Sequence, residues 1–229
     1  MDRARGVVFT LAGVSLAAGL WAFPAEYRAV AVTQQPALEW YLAPGAPPLP
    51  PLRSADATYK VMVACDTALN SLTARLMPET ARSEVATRCL DAADRVLISA
   101  PGLAPAHLVR ATALTQLAGQ DRGGPDAQRI SEAGLALRFA ERRGPELMWM
   151  VVRRMDVAIA LFDGLPAEGR NLLARDLGRI LAHGREEQVQ HLARLYRRKE
   201  SVQGFILATV EALLPGQQHR FVSALQANG

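Results

Sequence analysis

Three side chains that suit a metal ion stand four residues apart: His183, Glu187 and His191. On one uninterrupted helix, this spacing would place all three on the same face, as a zinc site requires. Gly184 follows His183 directly, and glycine is typical of the position just past a helix C-terminus. We therefore predict that a helix ends at His183, so that a positive charge on its imidazole would lie near the helix C-terminus, where it is favourable. We also predict that no metal site forms.

The chain carries none of the short motifs that mark common catalytic and nucleotide-binding sites. It has no HExxH, GxxxxGK[ST], GxSxG or dinucleotide fingerprint. Six acidic residues on predicted helices are interpreted as solvated: Glu84, Asp91, Asp94, Glu132, Asp156 and Asp176. We predict a protein that is not an enzyme and uses no cofactor. An enzyme acting on cell-wall glycan is the alternative, and it would need two carboxylates facing each other across a cleft.

The two cysteines, Cys65 and Cys89, each lie twelve residues from Met77, with Pro78 just past the midpoint. If two helices turn at Met77–Pro78, residues equidistant from the turn meet across their interface. Disulfides persist in oxidising compartments, so we predict a Cys65–Cys89 bridge. Two buried free thiols are the alternative. The spacing is not that of a CxxC redox motif.

Arginine carries almost all of the positive charge, because only Lys60 and Lys199 are lysines. The planar guanidinium suits carboxylates and phosphates. The net charge of +4 is too mild to indicate a nucleic-acid binder. A basic groove for an acidic polymer and an ordinary solvated face are both compatible with this pattern. The candidate partner- or glycan-binding residues are Trp149, Arg153, Arg154, Arg175 and Arg179.

We predict that Arg153 and Arg154 face away from the apolar stripe of their helix. Trp149 lies four residues before Arg153 and would suit stacking on a sugar ring, although such a tryptophan also serves as a core anchor.

The chain opens with Arg3 and Arg5, followed by an uncharged stretch from Gly6 to Phe23. A membrane-spanning helix needs about 17–25 apolar residues, and the positive-inside rule keeps the arginines in the cytoplasm. We predict a transmembrane anchor at residues 1–24, in the inner membrane, with the C-terminal domain in the periplasm. A cleaved signal peptide is the alternative, and it also exports the rest of the chain.

Residues 25–53 form a proline-rich stretch that predicts a stiff polyproline spacer. Residues 54–229 read as an all-α domain of antiparallel helical hairpins, because apolar residues recur at helical spacing between short loops. The predicted helices cover about 55–76, 80–99, 105–118, 126–142, 145–162, 166–182, 186–199 and 201–214, with a tail to 226.

The stretch from about Thr80 to Leu147 resembles tetratricopeptide helix pairs. Small residues stand at Ala92, Ala93, Ala111 and Ala113, and "AQRISEAGLALRFAERRGPEL" gives a further small-residue helix. The resemblance implies a scaffold that grips a partner segment in a groove and does no chemistry. A generic stack of helical hairpins is the alternative.

A second resemblance lies in Gly144–Leu181, around the turn "LFDGLPAEGRNLLARDL". It is similar to small membrane-anchored helical proteins of proteobacterial exopolysaccharide and O-antigen polymerisation and export. This similarity implies a membrane-tethered scaffold whose partner is an integral membrane protein of that system. An acidic glycan is a further candidate partner, based on the arginine pattern. A chaperone-like assembly factor for a respiratory or cytochrome complex is the alternative.

Overall fold

A computed structural model describes residues 10–21, 23–24, 27, 55–119 and 126–227 of the chain. Within these ranges all regular secondary structure is helical, which confirms the all-α prediction. Past a helical segment at 10–21, the helices are α1 (Ala55–Asn70), α2 (Leu72–Leu76), α3 (Glu79–Ser99), α4 (Ala104–Ala118), α5 (Ala127–Arg143), α6 (Met148–Ala160), α7 (Ala167–His183), α8 (Glu186–Arg198), α9 (Glu200–Glu211) and α10 (Pro215–Ala227), with a 3-10 turn at Phe162–Gly164.

Prolines set several of the helix starts. Pro78 and Pro166 are the N-caps of α3 and α7, Pro105 lies in the first turn of α4, and Pro215 begins α10. The missing N–H of proline has no partner to lose at these positions, since the first N–H groups of a helix are unpaired within it. Each of these four helices starts within one residue of its proline.

Three places differ from the prediction by three residues or more, and one of them is the eighth predicted helix, 201–214, which ends at Glu211 as α9. The first helix is interrupted at Ser71, whose hydroxyl accepts a hydrogen bond from the N–H of Ala74 and so caps a new helix. The fifth predicted helix begins at Met148 instead of residue 145. The carbonyl of Pro145 is directed at the Arg154 guanidinium, at 3.3 Å, and Leu147 takes the N-cap position.

Helix α4 lies at the centre of the packing and is buried on nearly every side. It contacts α1 and α3 on one side and α5 and α6 on the other, and α7 packs against α5 and α6. Ala106, Val109 and Ala113 join the core of the first hairpin, whereas Leu108 and Ala111 join the larger core that extends to α10. The many alanines of α4 let its neighbours approach closely, which places the faces of α1 and α6 side by side.

The predicted anchor, residues 1–24, is described only in part, and its helical residues 10–21 carry exposed apolar side chains. Within the described part of the chain, no helix combines the length and the apolar character that crossing a bilayer requires. The predicted linker, residues 25–53, lies outside the described residues except for Tyr27.

Candidate functional site

A continuous chain of four polar side chains joins α1, α6 and α8. Arg153 on α6 donates from Nε to Asp66 Oδ2 on α1 at 3.2 Å, and its Nη1 lies 3.5 Å from Asp156 Oδ2. Asp156 Oδ1 in turn lies 2.6 Å from Nε2 of His191 on α8. We call these four residues the polar chain. They show that α1, α6 and α8 present neighbouring faces on one side of the molecule.

The geometry of α6 explains why Trp149 lies beside the polar chain. Trp149, Arg153 and Asp156 are spaced i, i+4 and i+7, which places them on one face of a helix. The opposite face of α6 carries Met150 and Met155, both fully buried in the core. Trp149 is half-buried and its ring packs against this core, so it anchors α6 while contributing an aromatic edge to the face.

The ion pair between Arg153 and Asp66 bridges the two helices that flank α4. Helix α4 packs against both α1 and α6. The side chain of Arg153 therefore reaches past one side of α4 to meet Asp66, which is only 8% exposed. Asp66 also accepts a hydrogen bond from the amide of Asn70 at 3.0 Å. This ion pair thus links α1 to α6 on either side of α4.

Burial raises the pKa of Asp66 above its ordinary value, although the Arg153 guanidinium opposes the shift. Desolvation disfavours the carboxylate form, and the negative charge of Asp156 acts in the same direction. Asp66 therefore takes up a proton more readily in the folded protein than in the unfolded chain.

This shift predicts how Asp66 contributes to stability across the pH range. The folded state binds the proton more tightly, so the contribution is fully present below the unfolded pKa of 3.8 and declines as pH rises through the raised folded pKa. We expect the free energy of unfolding of the wild type, minus that of Asp66→Asn, to fall as pH increases from 3 to 7. Urea unfolding of both proteins at each pH measures it. A difference that grows with pH would mean that pairing with Arg153 outweighs desolvation.

The prediction that Arg154 faces away from the apolar stripe is wrong. Arg154 and Asp176 are both 0% exposed, and the guanidinium binds the carboxylate through two hydrogen bonds of 2.8 Å. Its remaining N–H groups donate to the carbonyls of Gly144 and Pro145 at the end of α5. The interpretation of Asp176 as solvated is wrong for the same reason. Four of the five N–H groups of Arg154 are thus bound, and the side chain is 0% exposed, so a ligand cannot reach it.

Arg175 and Arg179 lie together, but apart from the polar chain. Both contact Glu141 on α5, at 3.2 and 3.4 Å, and Arg179 also donates to Asp176 at 2.9 Å. Burial would raise the pKa of Glu141, yet its pKa is lowered because the two guanidinium groups bind it. Of this pair only Arg175 is half-exposed, at 51%. The structure thus places Trp149 and Arg153 on one face and the other three predicted residues in a separate network.

Other cations bind the free carbonyl groups at helix C-termini. Arg220 donates to the carbonyls of Leu181 and Gly184 at the end of α7, at 2.7 and 2.6 Å. Lys199 donates to Ile159 and Ala160 at the end of α6, at 2.7 and 2.9 Å. Such bonds satisfy carbonyls that have no partner within their own helix and complement the helix dipole. Arg220 and Lys199 therefore bind partners within the fold, as Arg154 and Arg179 do.

The helix break at Gly184 is confirmed. Helix α7 ends at His183, which is exposed, and α8 begins at Glu186, so His183 and His191 do not share a helix face. Among the described residues, no three His, Cys, Asp or Glu side chains are grouped closely enough to hold a metal ion. His191 instead contacts Asp156 of the polar chain.

Cys65 and Cys89 lie against each other at the interface of α1 and α3. Sγ of Cys89 is 3.9 Å from the carbonyl oxygen of Cys65, both residues are 0% exposed, and both carry free thiols in this structure. Burial raises the pKa of the Cys89 thiol well above its usual value, and hydrogen bonding to the Cys65 thiol adds to the shift. The disulfide between them stays a prediction.

The chain matches no protein-family model and has no significant match among curated proteins or solved structures. The residues of the site are therefore interpreted from their own geometry.

The sequence did not predict that Asp66, Asp156 and His191 lie together with Arg153. Asp156 and His191 are 35 residues apart, and Asp66 and Arg153 are 87 residues apart. One signal was present for Asp66, since it follows Cys65 on a face that the predicted hairpin must bury. A carboxylate at such a position needs a cationic partner.

Proposed function

We propose that this protein is a non-enzymatic, membrane-tethered scaffold that binds a segment of a partner protein on the face formed by α1, α6 and α8. The polar chain is the observation that carries the proposal. Three of its four members remain partly accessible, with side-chain exposures of 30% for Arg153, 29% for His191 and 20% for Asp156, whereas Asp66 is buried. Fixed donors and acceptors beside an aromatic ring are typical of surfaces that bind a polypeptide.

The charge of this face favours a peptide partner over an acidic glycan. The polar chain holds two carboxylates, one guanidinium and one imidazole, so its formal charge is −1 with the imidazole neutral and zero with the imidazole protonated. An acidic polymer needs an excess of cations instead. Arg154, Arg175 and Arg179, the residues expected to supply that excess, are bound to Asp176 and Glu141.

The N-terminal helical residues support a tether. Leu11, Leu16, Leu20 and Trp21 are 63–70% exposed, and such a row of apolar side chains is stable when a bilayer covers it. With Arg3 and Arg5 on the cytoplasmic side, the proposal places the helical domain in the periplasm, anchored in the inner membrane by a single span.

The order of packing supports a tetratricopeptide-like scaffold, since α4 contacts both α1 and α6, while α7 packs against α5 and α6. The resemblance of Gly144–Leu181 favours envelope polysaccharide polymerisation or export as the pathway, with an integral membrane protein as partner. The near-neutral polar chain also suits the second candidate, a chaperone-like assembly factor for a respiratory or cytochrome complex, because that partner is a peptide as well.

Photo-crosslinking in native membranes tests the proposal. We expect a photoreactive residue at Val152, half-buried on α6 between Trp149 and Arg153, to capture a partner protein. The same residue at Leu135 of α5, 43% exposed, is the control and should capture none. Asp66→Asn with Arg153→Gln should reduce capture more than tenfold if Arg153 is a hot spot of the interface, since truncating a hot-spot residue costs about 2 kcal/mol or more. The single variant Asp66→Asn keeps Arg153 and should retain capture.

Mass spectrometry of the adduct separates the pathways. A polysaccharide polymerase or export component supports the first candidate, and oxidase or cytochrome subunits support the second. Equal capture at Val152 and Leu135, or no protein adduct at all, would overturn the scaffold proposal.

A further inference from the structure

A cavity of about 240 Å³ lies where the end of α1, the short helix α2, the start of α3 and the end of α4 meet. Its walls include Leu69, Ala74 and Val85, all buried apolar residues. It lies in the first hairpin and shares no residue with the polar chain. The walls suit an apolar group of modest size.

Two arginines line this cavity, Arg75 and Arg82, and both are exposed. Neither guanidinium has a hydrogen-bond or ion-pair partner among the described residues, in contrast to Arg154 and Arg220. Glu79 also lines the cavity, so the two guanidinium groups exceed the carboxylates by one. An uncommitted guanidinium pair beside an apolar wall favours a carboxylate ligand, which it can bind through charge-assisted hydrogen bonds.

Gln116 of α4 completes the lining. Its amide nitrogen donates to the carbonyl of Leu69 at 2.9 Å, which fixes the side chain. Its amide oxygen has no partner among the described residues and is free to accept an N–H. The C-terminal residue of a peptide can offer an apolar side chain, a carboxylate and a backbone N–H together.

We propose that this cavity binds the C-terminal residue of a partner polypeptide, with an apolar side chain against Leu69 and Val85 and the free carboxylate on Arg75 and Arg82. The inference rests on the proposed scaffold function and adds a second contact to it. Cavities for drug-sized ligands measure about 300–1,000 Å³, so this smaller one fits a single residue and is too short for a lipid acyl chain. Capture of a terminal carboxylate is a known mode of peptide recognition.

Equilibrium dialysis of the full chain in mild detergent tests the site. The probes are pooled N-acetyl tetrapeptides ending in Leu, Val or Met, either as free acids or as C-terminal amides, with hexanoate as a separate probe. We expect the acids to bind at least tenfold more tightly than the amides. The double variant Arg75→Ala/Arg82→Ala should lose this preference. Arg138→Ala/Arg142→Ala removes the same charge from α5 and should retain it.

Equal binding of acids and amides, or an undiminished preference in Arg75→Ala/Arg82→Ala, would overturn the proposal. Binding of hexanoate as tight as that of the peptides would also overturn it and indicate a fatty-acid site. All four substituted arginines are on the surface, and circular dichroism checks that the variants fold. If no peptide binds while crosslinking at Val152 persists, this site fails and the scaffold function stands. If both fail, the scaffold function itself is wrong.

Discussion

Replacing Asp176 by leucine is expected to lower the free energy of unfolding by about 3–5 kcal/mol, because the substitution leaves the guanidinium of Arg154 buried without its counter-ion. Arg154 is 0% exposed, so water cannot replace the lost carboxylate. The carbonyls of Gly144 and Pro145 would remain as acceptors, but neither carries a charge. Urea unfolding followed by circular dichroism measures the effect.

The partner substitution should cost less. In Arg154→Met, Asp176 keeps the hydrogen bond from Arg179 at 2.9 Å, so its charge stays paired. The double variant Arg154→Met/Asp176→Leu removes both buried charges and should recover most of the stability, since apolar replacements of buried pairs are often near neutral. Asp94→Leu is the matched control: Asp94 is 49% exposed and pairs with Arg110, so about 0–1 kcal/mol is expected. Equal losses for Asp94→Leu and Asp176→Leu would contradict the assignment.

Oxidation of Cys65 and Cys89 to a disulfide is expected to raise the free energy of unfolding by about 3.5 kcal/mol, the chain-entropy value for a closed loop of this length. If the domain lies in the periplasm as proposed, the protein isolated from membranes should carry the bridge and should lose this stability when a reductant is added. Urea unfolding with and without reductant measures the difference. Cys65→Ala/Cys89→Ala is the control, and its stability should not respond to reductant.

Alkylation under denaturing conditions tests the same prediction independently. The oxidised protein should take up no alkyl group before reduction and two afterwards. Two alkyl groups on the protein as isolated would show that both cysteines are free thiols in the cell, as they are in this structure.

The helices were predictable because each signal is local. Apolar spacing placed Leu173, Leu177 and Ile180 on one buried stripe of α7, and all three are fully buried. Prolines indicated helix starts because proline lacks an N–H. Gly184 indicated the end of α7 because glycine lacks a Cβ. Ser71 was missed because its capping bond with Ala74 lies within a stretch of unbroken helical pattern.

The polar residues were less predictable, because their partners are distant in sequence. Arg153 and Arg154 are adjacent and identical in type, yet one is 30% exposed and the other 0%. A helix turns about 100° per residue, so adjacent positions face different neighbours. Arg154 points inward, toward Asp176 on α7. No local sequence pattern indicates that Asp176 lies opposite Arg154.

The burial of α4 from both sides has a consequence for the order of folding. Helices α1 and α3 precede α4 in the chain, and their shared core is complete only when Ala106, Val109 and Ala113 of α4 cover it. Cys65 and Cys89 belong to that core. In the folded protein both thiols are 0% exposed, so we expect a thiol oxidase to reach them only while this core is incomplete. If the predicted disulfide forms, we therefore expect it to form before folding is complete, and a chain that folds with reduced cysteines should keep both thiols buried until it unfolds.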